Sequence, residues 1–171
     1  LWHVQRFTIG NTIDFGCGIG EQLACFSKNS IGVEINKFAV EYCTSKGLNV
    51  VLYDYETDDY SFKGFPENKY QTLVISHVLE HLNDSDLILK KIMNSCARIG
   101  VKRIIIIVPC EKGFKHDLTH ITFINYNYLQ EKGLLSYSGF AADKIGYFPF
   151  NLKSIGKIFT YNEFYVIYDL K

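Results

Sequence analysis

The stretch Thr12-Ile13-Asp14-Phe15-Gly16-Cys17-Gly18-Ile19-Gly20 decides the fold class. It reads as a short buried strand that ends in an acid and a glycine loop. A helix is expected from about Glu21 to Lys28, carrying Leu23, Ala24 and Phe26. Glycine has no Cβ, so backbone N–H groups in such a loop can approach a ligand closely. A helix N-terminus behind the loop would add partial positive charge. Strand, glycine loop and helix at the head of an alternating pattern predict a nucleotide-type crevice.

The next strands repeat the theme of an acid at the carboxyl end. Ile31-Gly32-Val33-Glu34-Ile35 places Glu34 eighteen residues after Gly16, where a carboxylate can accept both ribose hydroxyls. Asn49 to Asp54 is the third strand, and Tyr70 to Ser76 the fourth. The phrase Ser76-His77-Val78-Leu79-Glu80-His81-Leu82 follows it directly. Lys102 to Pro109 is the fifth, and its run Ile104 to Val108 suits a central strand covered on both faces.

This series resembles the class I S-adenosylmethionine-dependent methyltransferases from about Asn11 to Phe140. The resemblance implies an α/β, Rossmann-like, mainly parallel seven-stranded sheet with helices on both faces and an antiparallel last strand. It implies S-adenosyl-L-methionine as cofactor. The glycine loop, as Asp14, Gly16, Cys17 and Gly18, would hold the methionine part. Glu34, with Ile35 beside it, would hold the ribose, and Asp54 would lie near the adenine. Ser76, His77 and Val78 would pass beside the methionine end. Relatives often carry helices before the first strand. Leu1 is not a start methionine, so the native chain is expected to extend N-terminally. Gly139-Phe140 resembles a pair found before the family's last two strands.

Other elements follow from caps and periodicity. Asn36 caps a helix over Lys37 to Ser45, with Phe38, Val40 and Tyr42 as its larger apolar residues and Gly47 as its stop. Glu56 to Lys69 reads as a long surface connection. Asn83 to Asp86 starts a helix to about Cys96, in which Leu89, Ile92, Met93 and Cys96 form a core-facing stripe. Asn125 caps a helix to about Lys132. The sixth strand is expected within Lys144 to Ile158, and Phe159 to Leu170 supplies the terminal antiparallel strand.

Bulk properties narrow the function classes. At 171 residues the chain is expected to be one domain. Its formal net charge is zero, which gives no electrostatic footprint for nucleic acid or anionic membrane. No apolar run approaches the length of a membrane span. Five scattered cysteines without a C-x-x-C pair argue for free thiols and a cytoplasmic location. The expected partner is a small-molecule, glycan or lipid-linked acceptor. The oligomeric state is left open.

The acceptor side is read from Cys110 to Phe123, a polar loop after the fifth strand. Ligands of open α/β sheets bind outside the carboxyl ends of strands. His120 is the preferred general base and His116 the second candidate, with Asp117 able to orient a ring. The loop with two histidines favours an oxygen acceptor. His116 and His120 are four apart and near Cys110, but the spacing matches no strong metal signature, and no metal is expected. His77 is expected to line the cofactor pocket through its backbone. Glu80 and His81 are expected to tie loops together. Tyr147, Phe148 and Phe150 are candidates for an apolar wall against the acceptor.

Two alternatives stand beside this reading. A nicotinamide-dependent Rossmann oxidoreductase would carry G-x-G-x-x-G, whereas this loop is D-x-G-x-G-x-G. A non-catalytic cofactor-binding subunit would retain the same acids and glycines.

Overall fold

Strands of β-branched and aromatic residues alternate with capped helices along the chain, and the chain winds them into one sheet. The computed structural model describes residues 4–171, apart from the side chain of Glu56. Leu1, on which the expectation of a longer native chain rests, lies outside the described residues. The elements are β1 (Thr12–Phe15), β2 (Ile31–Glu34), α1 (Lys37–Ser45), β3 (Val50–Leu52), α2 (Tyr55–Asp58), β4 (Thr72–Ser76) and α3 (Ser85–Ile99). There follow β5 (Arg103–Pro109), α4 (Glu111–His116), α5 (Tyr126–Glu131), β6 (Ser136–Tyr137), β7 (Phe140–Phe148) and β8 (Glu163–Leu170).

The strand order is β3-β2-β1-β4-β5-β8-β7-β6. Strands β1 to β5 pair in parallel, and β8 enters antiparallel between β5 and β7. The seven expected strands are β1–β5, β7 and β8. The two-residue β6 extends the edge by pairing with the start of β7. The chain winds outward from β1 through β2 to β3, then returns to β4 on the other side of β1. That reversal opens a crevice outside the carboxyl ends of β1 and β4.

Alternate residues of the central strands face opposite layers. Ile13, Phe15, Leu73, Ile75, Ile104, Ile106 and Val108 belong to the larger layer, which α3 covers with Leu89, Ile92, Met93, Cys96 and Ile99. Val74, Ile105, Ile107 and Ile167 form the smaller layer, closed by Val4 and by Phe7, whose ring stacks on Tyr165 at 5.6 Å. A bidentate pair from Arg103 to Asp169, at 2.7 and 2.8 Å, ties the start of β5 to the end of β8.

Two caps act as expected. The Asn36 side chain accepts from the amides of Phe38 and Ala39, and that of Asn125 accepts from Tyr128. The apolar residues of α1 do not form a core face: Phe38 is 81% exposed, and the buried member is Cys43.

Three expectations need correction. The helix expected over 21–28 is a single 3-10 turn, Leu23–Cys25. Phe26 leaves that turn extended and packs under the smaller layer. So short a segment cannot offset helix nucleation, and tertiary packing decides its shape. The connection over 56–69 is mostly exposed, as expected, but it carries the end of α2 and two buried aromatics. Tyr60 and Phe62 are buried and pack on Phe15 and Tyr53. Asp59, Tyr60 and Phe62 adopt left-handed backbone, at roughly 1–2 kcal/mol each. Burying the two aromatics Tyr60 and Phe62 returns about 1.5–3 kcal/mol each, of the same order as the backbone cost. The sixth strand starts at Phe140, ahead of the expected range. A register shift between Ala142 and Lys144 breaks its alternation.

Candidate functional site

The crevice is built on β1. Gly16 and Gly18 have φ of +71° and +52°, a region that favours glycine. A Cβ at Gly16 would meet Val78 Cγ2 at 2.5 Å, whereas at Gly18 nothing lies within 4 Å. The first glycine therefore packs against the segment after β4, and the second faces open space. Gly32 in β2 performs a related service: a Cβ there would strike Cys17 Sγ at 2.5 Å.

The amides of Gly16, Cys17, Gly18 and Gly20 are already engaged within the chain. Gly16 and Cys17 donate to Val33 O at 2.9 and 3.2 Å. Gly18 donates to Glu34 Oε2 at 2.8 Å, and Glu34 Oε1 accepts from Asn36 N–H at 2.8 Å. No helix N-terminus stands behind them, since the expected helix is one 3-10 turn. The expectation of a positive cradle of N–H groups is thus corrected. The loop presents carboxylates and bare Cα faces instead.

Asp14 is 2% exposed, and its Oδ2 makes no hydrogen bond. Burial, with the charge of Glu34 adding to it, pushes its carboxyl up to about 7, while the Leu23 N–H pulls the other way. Burial likewise raises the Cys17 thiol well above its usual range, so it is an inert packing group.

Two adjoining hollows share Gly16. One, of about 250 Å³, is bordered by Asp14, Cys17, Gly18, Ser76 and His77. The other is tighter, about 60 Å³, and is walled by Glu34, Ile35, Tyr53, Tyr55 and Val78. The tertiary structure thus brings together nine of the ten expected cofactor residues. Asp54 stands apart: its carboxylate accepts from Thr57 N–H and Oγ1 and caps α2. Tyr53 and Tyr55 escaped the sequence reading. Their signal was the aromatic run beside Asp54.

His77 occupies left-handed backbone at φ +55° as the chain leaves β4. Its Nδ1 lies 3.2 Å from Glu80 Oε1 and its Nε2 2.9 Å from Glu163 Oε1. Burial alone would lower its pKa, but the two carboxylates outweigh it and push the ring up to about 9. His77 is therefore a cation near neutral pH, and its side chain as well as its backbone takes part in the site.

The segment 110–123 folds partly into α4 and contributes Cys110, Glu111 and Phe123 to a third cavity of about 260 Å³. Tyr147, Lys157 and Phe164 complete the walls. Of the expected aromatic wall, Tyr147 lines this cavity. Phe150 is 49% exposed and packs edge-on to Phe159. His116 ends α4 and is exposed. His120 is enclosed, with its side chain 8% exposed. Its ring stacks on Phe114 at 5.4 Å and meets His81 edge-on at 4.7 Å. Its Nδ1 lies 3.0 Å from Phe114 O. A carbonyl only accepts, so Nδ1 carries a proton, and in the neutral ring Nε2 carries the lone pair. That Nε2 lies 4.0 Å from Glu80 Oε1 and 3.9 Å from Asp117 Oδ2.

The geometry suits a cationic ligand. An N–H cradle and a helix N-terminus recognise a pyrophosphate, and this loop offers neither. A buried carboxyl with an unpartnered oxygen, an open glycine face and a second carboxylate suit an ammonium beside a sulfonium. The residues present fit S-adenosylmethionine.

Comparison with known proteins agrees with this geometry. The model of a family described as "Methionine biosynthesis protein MetW" matches residues 7–146. A search of curated proteins finds no match. Among solved structures, a SAM-dependent methyltransferase from Archaeoglobus fulgidus is 24% identical with a TM-score of 0.70, covering 98% of this chain and 89% of that one. Magnesium protoporphyrin IX methyltransferase from Synechocystis PCC 6803, with bound SAM, is 14% identical at 0.64, covering 99% and 75%. Geranyl diphosphate C-methyltransferase from Streptomyces coelicolor A3(2), in complex with Mg2+, geranyl diphosphate and S-adenosyl-L-homocysteine, is 11% identical at 0.68, covering 99% and 75%. At these identities the likeness is one of fold. Among the described residues no helix is long and apolar enough to cross a membrane. The sheet order, the glycine loop and the family match over 7–146 establish that this chain belongs to the MetW family, built on the class I SAM-dependent methyltransferase fold.

Proposed function

We propose that the protein transfers a methyl group from S-adenosylmethionine to an oxygen of a small-molecule, glycan or lipid-linked acceptor. The observation that carries this reading is the pairing of buried Asp14, whose Oδ2 has no partner, with the open face of Gly18. When bound, the cofactor supplies the reactive methyl group and a thioether leaving group. The protein then has to hold, align and dehydrate the reactants.

Asp14 offers a carboxylate to the cofactor's ammonium, and Glu34 offers acceptors to the ribose. Tyr53, Ile35 and Val78 give the adenosine end an apolar wall. The 260 Å³ cavity after β5 takes the acceptor. Its mixture of Phe123, Tyr147 and Phe164 with Lys157 suits a partly apolar molecule with an anionic group. His120 is the group we assign to acceptor activation, as the enclosed histidine of the same segment, although it is not among the residues that line this cavity. His77, protonated near neutral pH, is unsuited to that task. His116 remains second to His120, being exposed.

Calorimetric titration with S-adenosylmethionine, S-adenosylhomocysteine and NAD tests this reading. Binding of the two sulfur compounds, lost in Glu34→Ala, is the expected result. Tight NAD binding with no response to either sulfur compound would overturn it. Cofactor binding without turnover on any hydroxyl-bearing acceptor would favour a non-catalytic subunit.

A further inference from the structure

We propose that Glu80, His81 and His120 form a binding site for a divalent first-row transition cation such as Zn2+. Among the described residues, these are the side chains of ligating type whose donor atoms converge, all within 4.8 Å of one another. They come from two separate segments: the 3-10 turn Leu79–His81 after β4, and the loop after α4. Two backbone bonds fasten these segments together, from Ile121 and Thr122 N–H to Glu80 O at 2.7 and 3.0 Å.

The hydrogen bonds prepare both rings to be ligands. His120 spends Nδ1–H on Phe114 O at 3.0 Å and keeps its Nε2 lone pair. His81 Nδ1 lies 3.3 Å from Thr119 O and 3.1 Å from Thr119 Oγ1. That hydroxyl donates its own hydrogen to Asp117 Oδ1 at 2.7 Å. Both neighbours of His81 Nδ1 are therefore acceptors, and the proton must lie on Nδ1. In the neutral ring His81 Nε2 then carries the lone pair. An imidazole that donates its other N–H to a main-chain carbonyl is the usual arrangement of a metal-bound histidine.

Glu80 supplies a second, independent pointer. Its side chain is 1% exposed, Oε1 meets His77, and Oε2 makes no hydrogen bond. His77 answers the charge through Oε1, but the buried Oε2 still has no partner, which a native structure rarely leaves unfilled. Two imidazoles and one carboxylate suit zinc, manganese or iron rather than calcium or magnesium, which prefer oxygen-rich shells. Ligand atoms around such an ion stand roughly 3–3.5 Å apart, given metal–ligand bonds near 2.1 Å. Small rotations of His81 and His120 close the present spacing. His81, half-exposed, leaves an entry path.

Three protein donors leave coordination positions for an oxygen of the acceptor, whose acidity a bound cation raises. This consequence rests on the methyl-transfer reading, while cation binding does not. It also gives His120 a role through the ion instead of as a free base, and narrows the acceptor to one presenting an oxygen donor beside the transferred methyl.

The test is calorimetric titration of chelator-treated full-length protein with Zn2+ and Mn2+, together with the visible spectrum of the Co2+ form. One saturable site is expected, weakened on the order of 10–100-fold or more in Glu80→Gln and in His81→Asn. His116→Ala should leave the affinity unchanged. The cobalt spectrum should show nitrogen and oxygen ligation without a thiolate charge-transfer band. His81→Asn alters a half-exposed ring, so it reports on the site even if Glu80→Gln fails to fold. Absence of saturable binding, binding indifferent to His81→Asn, or a thiolate band would each overturn the proposal. S-adenosylhomocysteine titrated into the same samples separates the two readings. Cofactor binding without cation binding removes the cation site alone. Cation binding without cofactor binding keeps it and removes the methyl-transfer reading.

Discussion

Glu34 Oε2 accepts the Gly18 amide at 2.8 Å, so the acid that ends β2 clamps the glycine loop that leaves β1. The same carboxylate holds Asn36 N–H through Oε1, at 2.8 Å. One side chain thus fixes the loop and the start of α1 together. Glu34→Ala should weaken S-adenosylhomocysteine binding by about 1.5–3 kcal/mol per charge-assisted bond lost. It should also lower the melting temperature, because two amides lose their acceptor. Calorimetry and thermal denaturation check both. Unchanged affinity in a folded variant would remove Glu34 from the site.

Asp14 makes stability and binding pH-dependent in opposite ways. Its folded pKa, raised to about 7, exceeds the ordinary value of 3.8. The stabilisation tied to its bound proton is fully present below about pH 3.8 and is lost as pH rises through about 7, a span worth roughly 4 kcal/mol. Asp14→Asn should therefore melt above the parent protein at pH 8.5, less so at pH 5, and close to it only below about pH 3.8. An ammonium ligand favours the ionised form, so cofactor binding near pH 6 should release a proton. Calorimetry in buffers of differing ionisation enthalpy measures that release. Cofactor affinity in Asp14→Asn should fall.

Gly16 and Gly18 separate folding from binding. Gly16→Ala brings a Cβ to 2.5 Å from Val78 Cγ2 in left-handed backbone. It should cost about 1–2 kcal/mol for the backbone and about 1–3 kcal/mol more for overpacking. Gly18→Ala meets no atom within 4 Å. It should cost only the backbone amount while its methyl group blocks the methionine part of the cofactor. Denaturant melts with paired binding titrations should show a large stability loss in the first variant. The second should show a large affinity loss at modest stability cost.

His120→Ala should lower turnover by roughly 10²–10⁴-fold, whether the ring acts as a base or through a bound ion. Cofactor affinity should stay nearly intact, since His120 lies in neither hollow around Gly16. His116→Ala, at the exposed end of α4, should change turnover little. Methyl transfer is read by release of S-adenosylhomocysteine with a hydroxyl-bearing acceptor. A neutral amine as the true acceptor would show itself as a small effect of His120→Ala.

Local patterns in the chain were enough to recover β1 to β5 and β8, the caps at Asn36 and Asn125, and the buried stripe of α3. Each depends on residues within a few positions of one another, so periodicity and capping chemistry expose them. The order Asp14, Gly16, Gly18, Glu34 also stood in the sequence, because strand ends in a parallel sheet recur at regular intervals. Tertiary structure alone decided the rest. Leu23–Cys25 stops at one turn because Phe26 is drawn under the sheet, and a segment that short has no stability of its own. Tyr60 and Phe62 are buried because Phe15 and Tyr53 cover them from other strands, against their unfavourable backbone. Glu80 and His120, forty positions apart, meet because Ile121 and Thr122 bond to Glu80 O. Contacts between distant segments carry no local periodicity, and hydrophobic burial across the whole sheet selects them.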